Sequence, residues 1–347
     1  MGHVTTNSRP IGVLLLQLGT PESTKVSDVR TYLREFLSDP RVLDMPGPAR
    51  ALLLNAIILP FRPRRSAKQY QKIWTEEGSP LTIHTDALTS RVQDILGNGY
   101  RVVYGMRYRN PPIRQAVDQL IADGCDRLVV LPLFPQYASA TTGSALEKAL
   151  EVISELWNLP NVVTVGAFFD ETGYVRAVAE VARPHLEAFP LDHVLLSYHG
   201  LPEKHVKKSD QTGEWCLASE SCCDRIATAN RFCYRAQCFA TTRGVAAELG
   251  LEAGKFSTTF QSRLAGQKWI EPYTDVELPK LYESGVRRIA VLAPSFTADC
   301  LETLEEIGIR LRAQWKQLGG ADFLIVPCVN AEPVWASAVA DMVRKAS

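Results

Sequence analysis

The sequence lacks an excess of either charge, a long apolar run and an apolar leader segment. Lysine plus arginine and aspartate plus glutamate each number 38 among 347 residues, which argues against a mainly electrostatic nucleic-acid binder. No run approaches the roughly 18 apolar residues that span a bilayer, and the first ten residues do not resemble a secretory signal. They do fit the short N-myristoylation pattern through Gly2 and Thr6, which often arises by chance. These absences predict a cytoplasmic protein whose eight cysteines are thiols or metal ligands rather than disulfides.

Near-continuous apolar stretches, typical of parallel strands covered on both faces, alternate with amphipathic helical patterns. They cover residues 12–19, 100–108, 126–134, 161–169, 192–200, 255–263, 287–296 and 322–330. Repeated βα units predict an α/β fold with doubly wound parallel sheets, whose ligands lie beyond the carboxyl ends of the strands. No glycine-rich dinucleotide motif follows the first strand, so we expect no nucleotide cofactor.

The two halves of the chain resemble each other. Three pairs of segments match in the same order, 13–22 with 194–203, 103–107 with 259–263, and 124–134 with 285–296. The first pair puts Leu18 at the position of His199, and the second aligns Arg107 with Arg263. We therefore expect two similar, pseudo-duplicated lobes, residues 1–180 and 181–347, with a cleft between them. The C-terminal helix is expected to be able to pack back on the first lobe.

The first half is longer than the second, which predicts an insertion at about residues 40 to 80. Within it, an apolar segment from Ala49 to Pro60 runs into Arg62, Arg64 and Arg65. One interpretation is a buried helix with a charged exit. The other is an apolar lid over an apolar ligand, with arginines for the carboxylates of that ligand. The same surface is suited to weak contact with an anionic membrane.

A histidine stands at the end of one predicted buried strand. His199 follows the apolar run Val194 to Leu196 and comes directly before Gly200. This arrangement is typical of a core histidine with a satisfied partner, or of a ligand or base at the rim of an α/β sheet. A neutral imidazole accepts protons near neutral pH and binds borderline divalent metals such as Fe(II).

An acidic helix is predicted after the seventh strand. Asp299, Glu302 and Glu306 are three and four residues apart and share one helix face, whereas Glu305 lies off that face. Acids at a helix start also stabilise the helix by themselves, so the pattern has a purely structural interpretation. However, Glu302 and His199 both follow carboxyl strand ends, so we expect both to reach one cleft.

Eight motifs, in order along the chain, resemble the ferrochelatase family over almost its whole length. They are LQLGTPES, GSPL, GMRY, PQYASATTGS, SYHGLP, TFQSR, KWIEPYTD and ADCLETLEEI. SYHGLP and ADCLETLEEI look especially like the form in Gram-negative bacteria. The resemblance implies two Rossmann-like lobes without a nucleotide. It also implies a lyase that inserts Fe(II) into protoporphyrin IX, with release of two protons, as the terminal step of haem biosynthesis.

The resemblance also implies roles for particular residues. His199 and Glu302 match the catalytic and metal-site pair that face each other across the porphyrin, with His199 taking the porphyrin protons. Asp299 and Glu306 match an acidic path behind the glutamate. The residues expected near the porphyrin are Arg64, Arg65, Tyr70, Ser79, Arg107 and Tyr108. Where some relatives have a second histidine, two positions before the glutamate, this chain has Cys300.

Other functions would use much of the same cleft. A cobalt chelatase or a coproporphyrin-using enzyme is an alternative, because affinity order rather than geometry often decides which metal binds. A non-catalytic haem or porphyrin carrier, or a cluster-based sensor, belongs to a different class of protein. The presence of both His199 and Glu302 disfavours the carrier.

Five of the eight cysteines fall within 23 residues, in a second predicted insertion at 214–239. They are Cys216, Cys222, Cys223, Cys233 and Cys238. Four thiolates can hold a 2Fe–2S cluster or a structural zinc. The segment resembles the internal cysteine insertion of some microbial 2Fe–2S ferrochelatases, which favours a cluster held by four of the five, with Cys222 and Cys223 as alternatives. Cys125 and Cys328 adjoin apolar strands and are expected to be core thiols.

Overall fold

The computed structural model describes residues 9–263 and 266–347, so the pattern at Gly2 and Thr6 lies outside the described residues. Every predicted strand forms. The strands are β1 Ile11–Gly19, β2 Tyr100–Tyr108, β3 Arg127–Pro132, β4 Asn161–Thr164, β5 His193–His199, β6 Phe256–Gln261, β7 Arg288–Leu292 and β8 Asp322–Ile325. Several end earlier than predicted, because the loops that follow them are also apolar, as at Leu133 and Phe134 after β3.

Within the described residues, the strands form two parallel four-stranded sheets with the same internal order. This order is β2-β1-β3-β4 in the first sheet and β6-β5-β7-β8 in the second. Leu15 pairs with Leu131 in the first sheet and Leu196 with Leu292 in the second, which agrees with the predicted duplication. The predicted α/β fold with two similar parallel sheets is therefore confirmed.

The predicted equivalence of Arg107 and Arg263 is wrong by two residues. The register of β1 and β2 puts Leu18 opposite Arg107, whereas His199 pairs with Gln261 across β5 and β6. Gln261 is therefore the residue equivalent to Arg107, and Arg263 lies exposed beyond β6. A shift of two residues keeps side chains on the same face of a strand, so local sequence similarity does not detect it.

Helices cover both faces of each sheet. The α-helices are α1 Val26–Ser38, α2 Gly47–Leu52, α3 Leu59–Gln71, α4 Pro80–Leu96, α5 Ile113–Ala122, α6 Ser144–Ser154, α7 Thr172–Glu187, α8 Glu203–Lys208, α9 Tyr234–Leu249, α10 Thr274–Glu283, α11 Arg312–Gln317 and α12 Pro333–Ala346. Wider π-helical segments cover Leu53–Ile58, Ser139–Gly143 and Glu302–Leu311, and short 3-10 turns cover Gly97–Gly99 and Glu220–Cys223. π-Helical turns are rare and frequently occur at functional sites.

The central strands are buried on both faces, as their continuous apolar character predicts. Along β1, Val13 and Leu15 face one core and Leu14 and Leu16 face another, because side chains alternate along a strand. The first of these cores also contains residues of β5, α7 and α12, so it is shared by the two sheets. α12 packs against α4 and α7.

Both lobes carry extra chain at the same connection, between the first strand and the helix that precedes the second strand. In the first lobe this connection comprises α1 to α3, and the predicted insertion at about residues 40 to 80 falls largely within it. It has its own apolar core, which includes Val29, Leu54 and Leu59. In the second lobe it is the cysteine-rich segment between α8 and α9. No helix in the described part of the chain combines the length and the apolar character needed to cross a bilayer.

Candidate active site

β5 ends at His199, and neighbouring groups determine where the strand stops. The His199 N–H donates to Ser295 Oγ at 3.1 Å, and its carbonyl oxygen accepts from the Tyr234 hydroxyl at 2.8 Å. Gly200 follows because a Cβ there would lie 2.8 Å from the Gln261 carbonyl oxygen on β6. The close approach of two strands therefore requires the glycine and holds the histidine at the rim of the sheet.

The hydrogen bond of the His199 ring determines its tautomer. Nδ1 lies 2.7 Å from the Gly200 carbonyl oxygen, which can only accept, so Nδ1 carries the hydrogen. In the neutral imidazole Nε2 can then accept a proton or bind a metal. The half-buried ring meets Phe296 edge to face, with centroids 6.4 Å apart. This geometry suits a base or a metal ligand better than a core histidine with both nitrogens bonded.

Glu302 begins the π-helical segment that follows β7. The Cys300 thiol donates to Glu302 Oε2 at 3.1 Å. The Gln261 amide donates to the Glu302 carbonyl oxygen at 3.4 Å, and Gln261 is also the strand partner of His199. Gln261 therefore contacts the backbone of both candidate residues at the carboxyl edge of the second sheet.

Polar side chains of the first insertion lie near Glu302. Tyr32 was missed by the sequence analysis, which named Arg62 only as one of the three arginines after the apolar segment. Tyr32 and Tyr70 are buried, and burial together with the Glu302 charge raises the pKa of both hydroxyls. Burial lowers the pKa of the half-buried Arg62, and the nearby Tyr32 and Glu302 oppose this change. Arg62 lies eight residues before Tyr70 and therefore on the same helix face, a spacing that could have identified it.

The predicted porphyrin contacts on the insertion and on α4 lie in different environments. Arg64 and Arg65 are exposed on α3, whereas Tyr70 lies inward with Tyr32. Ser79 is buried, and its hydroxyl is 3.0 Å from that of Thr20 just after β1. Of the side chains predicted here, Tyr70 is the buried one whose pKa the Glu302 charge helps to raise.

Arg107 and Tyr108 are bound to a buried carboxylate behind the cleft. Asp39 accepts from Arg107 at 2.8 Å and from the Tyr108 hydroxyl at 2.9 Å, and also from Ser144. Burial by itself would raise the pKa of Asp39, but these bonds and one from the Arg41 N–H lower it overall. The predicted cleft-wall pair is thus fixed in place by the first lobe.

Asp299 is buried, and both of its carboxylate oxygens have partners. Oδ1 accepts from the Thr303 hydroxyl at 2.9 Å. Oδ2 accepts from the Asn330 amide at 2.8 Å and from the Cys328 N–H at 3.3 Å. Asp299 therefore ties the start of the acidic helix to the loop before α12, a structural role that the sequence pattern did not reveal.

The remaining acids of the helix have cationic or hydroxyl partners. Glu306 accepts from Ser262 at 2.7 Å and lies 3.3 Å from Arg310. Glu305, off the predicted face, is only 1% exposed and pairs with Lys72 at 2.9 Å and with Arg310 at 2.8 Å. Burial would raise the pKa of Glu305, but these two cations lower it overall. Because Lys72 directly follows α3, Glu305 joins the first insertion to the helix that carries Glu302.

The five clustered cysteines are buried. The Sγ atoms of Cys222 and Cys223 lie 3.6 Å apart. Arg235 donates to the Cys223 sulfur at 3.1 Å. As these side chains stand, no group of three or more metal-ligating residues in the described ranges is arranged to hold an ion. The segment thus matches a thiolate cluster site in donor chemistry but is not a preformed cage.

The chain matches known proteins along nearly its full length. Residues 10–347 match the family described as ferrochelatase. A ferrochelatase from Coxiella burnetii strain CbuK_Q154 is 46% identical over 339 residues, covering 98% of this chain and 94% of that protein. One from Legionella pneumophila strain Lens is 45% identical over 334 residues, covering 96% of this chain and 98% of that protein. The structure of SirB from Bacillus subtilis with Fe3+ shares the fold, with a TM-score of 0.54 at 11% identity, covering 97% of this chain and 95% of SirB.

The two parallel sheets, with one strand order in both lobes, define a class of two-lobed, duplicated α/β proteins. The chain belongs to the ferrochelatase family. It is therefore a porphyrin metal chelatase, a lyase that forms protohaem from porphyrin and ferrous iron in haem biosynthesis. The family and the activity predicted from the sequence are confirmed, and Fe(II) is a substrate of the reaction.

Proposed function

We propose that His199 Nε2 accepts the inner protons of protoporphyrin IX and that Glu302 binds the incoming Fe(II). The observation that carries this proposal is the bond from Nδ1 to the Gly200 carbonyl, which leaves Nε2 as the acceptor at the rim. Imidazole and carboxylate are both ligands that Fe(II) accepts. The Cys300 thiol holds Oε2 of the glutamate, which leaves Oε1 for the iron.

Iron can enter the macrocycle only when the flat ring bends and its two inner protons leave. Binding energy from the rest of the ring can be used to hold a bent form. Arg62 and Tyr70, close to Glu302, support a porphyrin site under the first insertion. We propose that Arg64 and Arg65 reach the porphyrin carboxylates from the same helix. Ser79, Arg107 and Tyr108 complete the wall in this proposal.

The acidic residues behind Glu302 form the proposed path for cations or protons. Glu306 lies one turn further along the helix than Glu302. It is half-buried and accepts a hydrogen bond from Ser262. The Asp299 carboxylate accepts three hydrogen bonds, so we propose that it holds the start of the helix in place beside this path.

The first insertion is also the proposed site of weak contact with a membrane surface. One face of its apolar segment is buried, as the buried-helix interpretation expects, but the other is not. Leu52, Ile57 and Phe61 are 69%, 58% and 74% exposed. Arg64 and Arg65, also exposed, follow them and would favour an anionic surface.

The cysteine-rich segment is the proposed site of a 2Fe–2S cluster, with a structural zinc as the alternative. The proposed ligands are Cys216, Cys233, Cys238 and one of Cys222 and Cys223. The Arg235 bond to the Cys223 sulfur favours Cys223, because a cation there would stabilise a thiolate. When bound, the cluster would supply local folding energy, since metal binding and folding are coupled. Its role is structural or regulatory, because metal insertion needs no electron transfer.

We also propose a lobe boundary slightly later than the predicted residue 180. That residue lies inside α7, which packs against both α9 and α12. The connection at 188–192, between α7 and β5, is the first break between helix and strand after it.

The test of the proposed function is incubation of the purified protein with Fe(II) and protoporphyrin under anaerobic conditions, followed by absorbance. Conversion to protohaem is expected, with slower conversion when Co(II) or coproporphyrin is supplied instead. Porphyrin binding without conversion would overturn the proposed roles and favour a carrier. Faster conversion with Co(II) or with coproporphyrin would redirect the proposal to that substrate.

A further inference from the structure

We propose that Tyr234 is a positioning residue that couples the cysteine-rich segment to His199. The inference rests on the proposed role of His199 as the proton acceptor. The Tyr234 hydroxyl donates to the His199 carbonyl oxygen at 2.8 Å, and the tyrosine is buried. Tyr234 begins α9 and directly follows Cys233, the N-cap residue of that helix.

His199 depends on this hydroxyl because the neighbouring strand does not reach it. β5 pairs with β6 as far as His199, but with β7 only as far as Leu196. The N–H and carbonyl groups of His199 are bonded instead to the hydroxyls of Ser295 and Tyr234. Two side chains thus replace the ladder bonds that would otherwise hold this residue, and a buried backbone group without them would be costly.

The first turn of α9, which carries Tyr234, is also bonded to the cysteine-rich segment. Arg235, the residue after Tyr234, donates to the Cys223 sulfur at 3.1 Å. Cys233, the residue before Tyr234, donates its N–H to the Asn230 carbonyl at 2.8 Å, and the Asn230 side-chain amide donates to the Cys222 carbonyl at 2.9 Å. The arrangement of this segment therefore determines where the first turn of α9 lies, and with it the Tyr234 hydroxyl.

The coupling acts on the direction in which Nε2 of His199 faces. The ring is held by its own peptide and by the bond from Nδ1 to the Gly200 carbonyl, so a shift of the His199 carbonyl turns the ring. Loosening of the segment, through metal loss or thiol modification, is expected to lower turnover. Porphyrin binding should not weaken, because Tyr234 lies on the opposite lobe from the first insertion.

A pair of matched tyrosine variants tests the coupling. Tyr234→Phe removes only the hydroxyl. Tyr198→Phe is the control, because Tyr198 is also buried but its hydroxyl bonds Thr242 at 3.0 Å. Tyr234→Phe should lower kcat by about tenfold to a hundredfold, the order expected for a catalytic group misplaced by about 1 Å, with KM for porphyrin unchanged. Tyr198→Phe should leave kcat unchanged.

Hydrogen exchange provides a readout independent of activity. Amides of residues 194–200 should exchange faster in Tyr234→Phe and in Cys233→Ser, but not in Tyr198→Phe. Cys233→Ser should also lower kcat. Adding Tyr234→Phe to it should cause no further loss, since both changes act through one hydrogen bond.

The possible outcomes separate this inference from the proposed function. Normal kcat in Tyr234→Phe, together with an inactive and folded His199→Ala, would overturn the coupling alone. Turnover by folded His199→Ala would overturn the role of His199 and the coupling with it. Equal kcat losses in the two tyrosine variants, or additive losses in the double variant, would also overturn the coupling.

Discussion

The two insertions follow equivalent strands, β1 in the first lobe and β5 in the second. They are held in place by different kinds of hydrogen bond. In the first lobe Asp39 accepts a hydrogen bond from Tyr108, 69 residues away at the end of β2. In the second lobe Asp210 accepts from the N–H groups of Trp215 and Cys216, within its own segment. The first insertion is thus anchored to the lobe by long-range bonds, and the second is organised locally.

This difference fits the metal site that we propose for the second insertion. The first insertion has an apolar core of its own that also contacts Leu301 and Leu304 of the acidic helix. The second places five buried cysteines against the shared core of the lobes, where a bound metal would supply the missing constraint. α8, which leads into the second insertion, also contacts the first insertion, since Lys208 pairs with Asp44 at 2.5 Å. The same connection in the two duplicated lobes therefore carries two insertions of different kinds.

We expect the largest difference between the lobes when the matching residues His199 and Leu18, at the ends of β5 and β1, are replaced by alanine. His199→Ala should abolish haem formation in folded protein, because it removes the proposed proton acceptor. Leu18→Ala, at the matching position, should keep most turnover and lower the free energy of unfolding by about 2 kcal/mol, a value typical of a partly buried leucine. Anaerobic haem formation and urea unfolding measure the two effects. An active His199→Ala variant, or an inactive but folded Leu18→Ala variant, would remove the distinction.

Variants of Glu302 and Glu305 test whether one residue of the acidic helix serves the reaction and the other only stabilises the fold. Glu302→Gln should inactivate the protein with little change in stability, because it keeps the shape and loses the charge. Glu305→Gln should retain turnover but lower the free energy of unfolding by about 1 to 2 kcal/mol, since half-exposed Lys72 and Arg310 are partly compensated by water. Steady-state kinetics and denaturant titration of both variants decide this. Equal losses of kcat at the two positions would contradict the separation.

The metal content of the second insertion is the next contrast. Protein purified anaerobically should be reddish-brown and contain about two iron and two sulfide per chain. Removing them should speed hydrogen exchange across residues 210–238 and leave the first insertion unchanged. Zinc at about one per chain without sulfide would replace the cluster with a zinc site. Protein without any of these metals would contradict both versions.

Exposed apolar side chains provide a smaller test of the first insertion. Replacing Leu52, Ile57 and Phe61 together by serine should reduce binding to anionic vesicles and raise KM for porphyrin modestly. Trp157→Ser is the control, because Trp157 is 98% exposed on another part of the first lobe. Co-sedimentation with vesicles measures the difference. Similar losses in both variants would indicate unspecific adhesion of apolar groups.

The smallest expected effect is an acid-induced loosening of the second insertion. Burial would raise the pKa of Asp210, but hydrogen bonds from Cys216, Thr212 and Trp215 lower it overall. The unfolded aspartate binds its proton near pH 4, so the stability that Asp210 contributes is complete above that pH and is lost as pH falls further. Trp215 fluorescence should report this change, and Asp210→Asn should abolish its pH dependence. An unaltered acid transition in that variant would assign it to other carboxylates.

Local sequence was sufficient for much of the fold. The strands were predictable because parallel strands buried on both faces need continuous apolar runs, and the order of matching segments predicted two equal sheets. His199 and Glu302 were predictable as candidates because each follows the carboxyl end of a strand. The shared face of Glu302 and Glu306 follows from residue spacing alone.

The tertiary structure alone decided which side chains these residues meet. Lys72 and Glu305 are 233 residues apart in the chain, and their ion pair changes Glu305 from a surface acid into a buried anchor. Arg62 rather than Arg64 lies inward, because the packing of α3 determines which face is covered. Tyr234 reaches His199 because β7 stops short of the end of β5. Spacing along the chain determines helix faces and strand alternation, whereas hydrogen-bond partners depend on how distant segments pack.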